Sequence, residues 1–398
     1  MAYSLEAIYN SVSWAISSHT RKLSSLQEQA SSGQEINRPS DNPYDANRIL
    51  SLRTESRSME RYVNAVTEVI NVLDFSSSVV QQMTGERGLG GARASLTSAL
   101  TPIYSDPAVR TQKAAEINEI LEEMVSLANK QRMGQRLFGG AQSDSDPYLV
   151  ERGGDGQIQR VIYQGSQEER NINVAPGVET SAVLVGDQLF RADDAEIPVF
   201  YGSTGTAAGT GTSSVRGDFV LSVSGSAGAW VLSIDGGTTT VTATGTETNL
   251  AVVNGATGEV LYVDATGITQ TGNDYVRVPG TYDVFNVLIH CRDLLTNTEN
   301  LSQEQWDSVM RATVDELALV EQKLVRAYPL IGGRLETLTN LKSSLEDIKM
   351  NADEEISARQ DADITQVAVD LARYEVLYEM SLQVAAKMFS MSLMDFIG

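Results

Sequence analysis

Residues 23–50 read LSSLQEQASSGQEINRPSDNPYDANRIL and indicate a sharp corner between two helices. An apolar helical pattern precedes Gly33, and this glycine is predicted to end the first helix. The segment Arg38–Pro43 places two prolines around Ser, Asp and Asn, which is typical of a tight turn. A carboxylate at a helix start can accept backbone N–H groups, so Asp41 or Asp45 is predicted to cap the second helix.

Upstream of this corner, apolar residues recur at steps of three and four and predict one amphipathic helix. They are Leu5, Ile8, Val12, Ile16, Leu23, Leu26 and Ala30. Downstream, the same periodicity predicts a second helix from about Asp45 to Met83 and a third from about Asp106 to Arg136. The glycine-rich stretch Gly85–Gly91 between them has no Gly-Lys-Ser/Thr ending, so we expect a flexible loop rather than a phosphate-binding loop.

The C-terminal part repeats the helical pattern. A short helix near Tyr282–Leu295 is predicted to lead into a long helix that starts at about Ser302. Pro329 and the pair Gly332-Gly333 are expected to break or kink that helix. The pattern then resumes at Leu335 and continues to Phe396, which predicts a helix of about 60 residues.

The middle of the chain has a different composition. Residues 141–280 hold 21 of the 32 glycines and no lysine, and alternating Val/Thr segments there are separated by Gly-containing turns such as Asp235-Gly236-Gly237. This pattern predicts antiparallel strands and hairpins. The predicted strands are Gln159–Tyr163, Asn171–Val174, Asp218–Ser224, Trp230–Ile234, Thr238–Thr242 and Val260–Val263.

The predicted fold class is therefore α+β multidomain, with long N- and C-terminal helices packed together as a coiled-coil-like bundle and an inserted all-β domain. We predict an N-terminal helical segment at 1–140, a β-rich outer domain at 141–280 and a C-terminal helical segment at 281–398. The last segment is expected to pack on the first, since neither buries its apolar stripe alone.

Composition excludes several classes of protein. The 398 residues carry 30 basic and 52 acidic side chains, a net charge of −22, so neither nucleic acid nor an anionic membrane is an expected partner. No apolar run is long enough to span a membrane, and the first residues lack the basic and apolar regions of a secretory signal. The single cysteine, Cys291, allows no intramolecular disulfide.

Candidate chemical sites are weak. His19 and His290 are the two histidines, too few for a His-rich metal site, and His290-Cys291 lacks a third catalytic partner. The corner residues Asp41, Asn42 and Asp45 lack the Asp-x-Asp-x-Asp-Gly order of a calcium loop. No catalytic, cofactor or metal site is predicted.

Three sets of residues resemble the flagellin family, in particular its branch at the hook–filament junction. The first is the corner, with Gly33, Asn37, Pro39, Ser40, Asp41 and Pro43 as its most specific positions. The second is Gly134-Gln135-Arg136-Leu137-Phe138-Gly139-Gly140. The third is the closing segment from Tyr374 to Ile397. The resemblance covers about residues 1–190 and 281–398, and it predicts a lineage-specific insertion at 191–280.

The resemblance implies a structural, non-enzymatic subunit that forms a ring in the flagellar axis, without a cofactor. Its implied partners are further copies of itself, the other hook-associated junction protein, flagellin and a flagellar export chaperone. It also implies an extracellular location after export through the flagellar type III pathway. The terminal stripes are the predicted assembly interface, at Leu5, Ile8, Val12, Leu382, Phe389, Leu393 and Phe396.

Two alternative functions stay open on the sequence. A flagellin filament subunit would share the helical ends, although the Pro39–Pro43 corner and the Ser392–Ile397 ending favour the junction branch. A secreted coiled-coil adhesin or translocator would be favoured if the terminal helices formed trimers by themselves. A carbohydrate-active enzyme in the insertion would need an acid pair that the sequence does not show.

Overall fold

The computed structural model describes the backbone of residues 2–101, 106–142, 144–181 and 183–397, and no side chain at 2–6, 8 or 389–397. By their contacts the described residues divide into two compact units. One unit combines 1–64 with 340–398, and the other comprises 65–339. The helical ends and the intervening β-rich region confirm the predicted α+β fold class.

The first unit is helical. It contains helices α1 and α8 and the adjoining parts of two longer helices, α2 and α7, which also contribute to the second unit. Their bounds are α1 Ala2–Ser32, α2 Pro43–Thr84, α7 Gln303–Gln360 and α8 Ile364–Ile397.

Two predictions about the C-terminal part concern α7: a break or kink at Pro329, and a single helix of about 60 residues from Leu335 to Phe396, which is wrong because α7 ends at Gln360. The helix is continuous through Pro329, which is exposed, so the expected break does not occur. Buried Leu324 and Ile331 pack on either side of the proline, and this packing outweighs the one lost backbone hydrogen bond. The chain is interrupted later, at residues 361–363. There the carboxylate of Asp363 accepts the amides of Thr365 and Gln366 at 2.9 and 3.2 Å and starts α8.

The second unit contains three helices of more than ten residues between α2 and α7. They are α3 Leu89–Ala99, α4 Pro107–Ala128 and α6 Val284–Thr296. The predicted loop Gly85–Gly91 is wrong in its second half, because α3 begins at Leu89. Buried Leu89, Ala92 and Leu96 give that helix a packed face despite its glycines.

The predicted extension of α4 to Arg136 is also wrong. The helix ends at Ala128, and residues 131–136 form a hairpin of β1 Gln131–Arg132 and β2 Gln135–Arg136. Its two-residue turn places Met133 and Gly134 at φ values of +50° and +79°. This left-handed pair is the backbone that a tight hairpin requires.

Short antiparallel pairs continue the second unit. Strands β3 Tyr148–Arg152 and β4 Ile158–Tyr163 form one hairpin, and β5 Asn171–Ala175 and β6 Val178–Ser181 form another. The one-turn helix α5 Gly186–Phe190 follows. Rings of Phe138, Tyr148, Phe190 and Phe285 meet at centroid distances of 4.8 to 5.9 Å and form an aromatic core.

Residues 194–280, which we call the inserted module, enter and leave through one pair of strands. Strand β7 Arg191–Asp193 pairs antiparallel with β16 Thr281–Asp283, with Asp193 opposite Thr281. The two ends of the module are therefore adjacent, which is the geometry of a domain carried on a two-stranded stalk.

The inserted module contains two antiparallel sheets, in the orders β12-β11-β10-β15-β8 and β13-β14-β9. Their side chains form a core of their own that includes Leu221, Trp230, Leu261 and Val276. The six strands predicted from the sequence are present, two of them as β4 and β5 before the module and four within it, although the segment predicted at Thr238–Thr242 begins later, at Val241. The module has eight strands in all, so four of them were not predicted. The strands are β8 Val199–Tyr201, β9 Ala207–Ala208, β10 Gly217–Ser226, β11 Ala229–Ser233, β12 Val241–Ala243, β13 Leu250–Val253, β14 Val260–Asp264 and β15 Gly272–Val278.

Candidate assembly surface

The two terminal helices, α1 and α8, pack on each other within the first unit. The rings of His19 and Tyr374 mark the contact, with centroids 5.9 Å apart. On α1 the residues of this inner face recur at steps of three and four, and on α8 they do the same. These inner-face residues are Val12, Ile16, His19, Leu23 and Leu26 on α1, and Val367, Leu371, Tyr374, Tyr378 and Ala385 on α8, all buried or half-buried.

Helix α8 has a second apolar face. Val369, Val376, Met380 and Val384 are 48% to 60% exposed. At about 100° per residue they fall within an arc of about 80°, on the side of the helix opposite the inner face. We call these four residues the outer face of α8. A helix that is apolar on opposite sides is typical of a buried helix, and α1 covers only one of those sides.

The predicted assembly residues divide between described and undescribed side chains. Val12 is half-buried on the inner face of α1, and Leu382 is 43% exposed at the edge of the inner face of α8, about 20° around the helix from Leu371. The side chains of the other five lie outside the described residues, so the predicted interface stays a prediction. Those five are Leu5, Ile8, Phe389, Leu393 and Phe396.

Sequence reasoning missed the outer face because it traced one apolar stripe along α8. The steps from Val369 to Val376, Met380 and Val384 are seven, four and four residues, so a second stripe was visible in the sequence. It also missed Trp14 on α1, which is 68% exposed and lies two residues beyond Val12, away from the inner face. Both features extend the apolar surface of the terminal helices.

The corner after α1 is built around Gly33. Its φ of +71° is a left-handed conformation that favours glycine, and its amide donates to the carbonyl of Gln29 at 2.9 Å, which ends the helix. Its own carbonyl accepts the amide of Ala362 at 2.9 Å, and Glu35 donates to the carbonyl of Gln360 at 2.7 Å. These two bonds join the α1–α2 corner to the α7–α8 connection.

Asp41 holds the turn itself rather than the helix. Its Oδ2 accepts the amides of Asn37 and Arg38 at 3.2 and 2.8 Å, and its own amide donates to the Arg38 carbonyl at 2.9 Å. Pro39 and Ser40 lie at the exposed tip of this turn.

The predicted helix cap at Asp41 or Asp45 is wrong. Asn42 caps α2, because its Oδ1 accepts the amide of Asp45 at 3.2 Å. Pro43 is the first residue of α2, where a missing N–H costs no helical bond. Asp45 instead receives the side-chain amide of Asn42 and an ion pair from Arg359 at 2.7 Å.

Ion pairs connect α2 with the end of α7 beside this corner. Arg48 pairs with Glu355 at 3.0 Å, and Arg359 reaches the same carboxylate at 3.1 Å. The hydrogen bond from Arg48 is the main reason that the pKa of Glu355 is lowered. Each of these partly exposed pairs contributes little stability by itself, but together they fix the register of the two helices.

No group of three metal-ligating side chains occurs among the described residues. None of the helices in the described ranges combines the length and apolarity needed to cross a membrane.

Comparison with known proteins gives a family match for the N-terminal part of the chain. Residues 4–143 match the family described as the bacterial flagellin N-terminal helical region. Flagellar hook-associated protein 3 of Escherichia coli strain K12 is 24% identical over 195 residues. That match spans 48% of this chain and 57% of the relative, little more than half its length. The resemblance to the flagellin family is thereby confirmed.

Two solved structures share the fold. The flagellar hook-associated protein-3 from Legionella pneumophila superposes with a TM-score of 0.52 at 14% identity, covering 78% of this chain and 98% of its own. A putative flagellar hook-associated protein from Vibrio parahaemolyticus gives 0.51 at 14% identity, covering 81% and 100%. At such identities the likeness concerns the fold alone.

Proposed function

We propose that this chain is a structural, non-enzymatic subunit of the bacterial flagellum that forms the junction between hook and filament. The observation that carries the proposal is the double-faced helix α8, whose inner face packs on α1 and whose outer face stays exposed. Exposing such an apolar face to water is unfavourable for an isolated chain, whereas a subunit of a helical assembly buries the face against its neighbours. The name of the relatives, flagellar hook-associated protein 3, indicates that this assembly lies at the flagellar hook.

The terminal helices are then the assembly element. Subunits in a tubular axis use heterologous contacts, in which one surface of each copy meets a different surface of the next. The outer face of α8 is suited to that role, and Trp14 adds apolar area on α1. The predicted residues Val12 and Leu382 belong to the same helix pair, and Leu5, Ile8, Phe389, Leu393 and Phe396 extend it toward the chain ends.

The corner has a mechanical role in this proposal. Backbone bonds from Gly33 and Glu35 tie α1 to the α7–α8 connection, and the Arg48 and Arg359 ion pairs tie α2 to α7. Load applied to the terminal helices is thereby passed to two long helices rather than to flexible loops. Asn37, Pro39, Ser40, Asp41 and Pro43 keep that joint compact.

The partners follow from this position in the flagellum. They are further copies of this chain in a ring, the other hook-associated junction protein on one side and flagellin on the other. A flagellar export chaperone would cover the C-terminal helix before export. The protein would act outside the cell after passage through the flagellar type III pathway.

Electron microscopy of cells that lack the gene tests the proposal. We expect hooks without filaments, with filament protein released into the medium, and restoration by the wild-type gene. Filaments that still grow on the hooks would refute the junction role. If the bulk protein of purified filaments were this chain, the filament-subunit alternative would replace it.

A further inference from the structure

The inserted module is attached to α7 through a buried ionic cluster. The guanidinium of Arg277 on β15 binds Asp218 on β10 twice, with Nε 2.7 Å from Oδ1 and Nη2 2.5 Å from Oδ2. The same Nη2 lies 2.8 Å from the hydroxyl of Thr313 and 3.1 Å from Oε2 of Glu316, both on α7. One nitrogen therefore connects the module with the helix.

The charges in this cluster do not balance when every group is ionised. Two carboxylates share one guanidinium, and the side chains of Arg277, Asp218 and Glu316 are only 5%, 2% and 8% exposed. Asp218 has both bonds of the guanidinium fork and a further bond from the hydroxyl of Tyr275 at 2.7 Å. The Glu316 oxygen nearest to Arg277 has only the shared Nη2, and no hydrogen bond of its own.

We propose that the attachment of the inserted module to α7 is proton-linked, with Glu316 neutral in the attached state and the attachment weakened when Glu316 ionises. A neutral carboxyl leaves the Arg277–Asp218 pair balanced, whereas a second buried carboxylate adds an uncompensated negative charge. The effect is local, because Glu316 is the ionisable side chain that α7 contributes to the shared guanidinium, beside the neutral hydroxyl of Thr313.

Burial, and then the negative charge of Asp218, raises the pKa of Glu316 to about 8, while Arg277 acts in the opposite direction. Burial also disfavours an ionised Asp218, but its bonds from Arg277 keep its pKa lowered. The other titratable groups facing the cluster come from β8, β15, β16 and α6. They are Tyr201, Tyr275, Tyr282, His290 and Cys291.

The direction of the pH effect follows from proton binding. A carboxyl whose pKa is raised on folding holds a proton that the unfolded chain releases, from about pH 4.5 up to about pH 8. Stability from this group therefore falls as the pH rises through that window. The attachment is expected to be strongest near pH 4.5, to weaken progressively as the pH rises, and to be weakest above about pH 8.

Hydrogen exchange on the full chain at pH 6.5 and 9.0 tests the inference, after correction for the intrinsic pH dependence of exchange. We expect peptides from β15, from β16 and around Thr313 to exchange at least about tenfold faster at pH 9.0, since one pKa unit corresponds to a factor of ten. Glu316→Gln should remove that difference, and Glu304→Gln, at an exposed position of the same helix, should leave it unchanged.

An equal pH response in wild type and Glu316→Gln would overturn the inference, as would a wild type without any response. If Glu316→Gln fails to fold, carboxyl-carbon NMR of the glutamate-labelled wild type decides. A glutamate carboxyl with a midpoint above pH 7 supports the inference, and the absence of one refutes it.

Discussion

At the scale of single residues, the corner shows how neighbouring Asx side chains divide two tasks. Asp41 and Asn42 are adjacent and chemically similar, yet Asp41 accepts amides behind it and Asn42 accepts one ahead. Local composition indicates that both a turn and a cap are present, but it does not say which side chain does which. The direction of the backbone before and after Pro43 decides which of the two side chains holds the turn and which caps α2.

Replacing Asp41 tests this division. Asp41→Ala removes the acceptor of two amides and should loosen the turn by about 1 kcal/mol, the usual cost of losing such a side-chain cap. Asp41→Asn keeps an acceptor oxygen and should cost less than half of that. Hydrogen exchange of a peptide covering residues 33–43 measures both changes. Equal exchange in Asp41→Ala and wild type would show that the turn does not depend on this carboxylate.

At the scale of elements, α8 has two apolar faces, and α1 covers only the inner one. Val367 and Val376 lie nine residues apart on the same helix, the first buried at the inner face and the second 55% exposed on the outer face. The same substitution at the two valines therefore separates folding of the chain from assembly between chains.

We expect Val376→Asp to leave the thermal midpoint of the purified chain unchanged, because an exposed carboxylate stays hydrated. The variant should nevertheless fail to restore filaments in cells lacking the gene, since burying a charge against a neighbour costs several kcal/mol. Complementation scored by electron microscopy, together with calorimetry of the purified protein, measures the two effects.

Val367→Asp is the matched control and should lower the thermal midpoint, because it places the charge between α1 and α8. Normal filaments with Val376→Asp would rule out the outer face as an assembly surface. That result would not contradict the packing of α1 against α8 within one chain.

At the scale of the whole molecule, the inserted module is self-contained in its packing and chain connections, apart from its contact with α7. Its hydrophobic core is made of its own residues, and its two ends are joined by the β7–β16 pair. The resemblance predicted an insertion at 191–280, and the pairing of Asp193 with Thr281 suggests residues 194–280 as the segment to remove.

Deleting residues 194–280 should leave motility largely intact. Asp193 and Thr281 are directly opposed, so an Asn-Gly turn closes the stalk as a two-residue hairpin. Removing the module also uncovers Glu316 to water, so its carboxylate no longer carries a burial cost. Swimming in soft agar and secretion of the shortened chain are the measurements.

A cut at 202 and 271 serves as the comparison. This deletion leaves β8 and β15 in place but removes Asp218, so the Arg277 side chain loses its carboxylate partner on β10. It should therefore yield less secreted protein than the stalk deletion. Loss of filaments after the stalk deletion, with normal secretion, would make the inserted module part of the junction.

The sequence by itself determined what depends on neighbours along the chain. The periodicity of the terminal segments predicted helices at both ends of the chain, Gly33 predicted the end of α1, and alternating Val and Thr predicted four of the eight module strands. The structure contains each of these features. These features rest on local geometry and on the contrast of apolar and polar positions, which a sequence displays directly.

The tertiary structure alone decided what depends on distant partners. Pro329 stays helical because buried side chains on both sides hold the helix, and α7 ends at Gln360 where its backbone pairs with the residues after Gly33. The Arg277, Asp218 and Glu316 cluster joins side chains from three separate elements. No local pattern encodes such contacts, because their energy comes from burial and charge pairing across the fold.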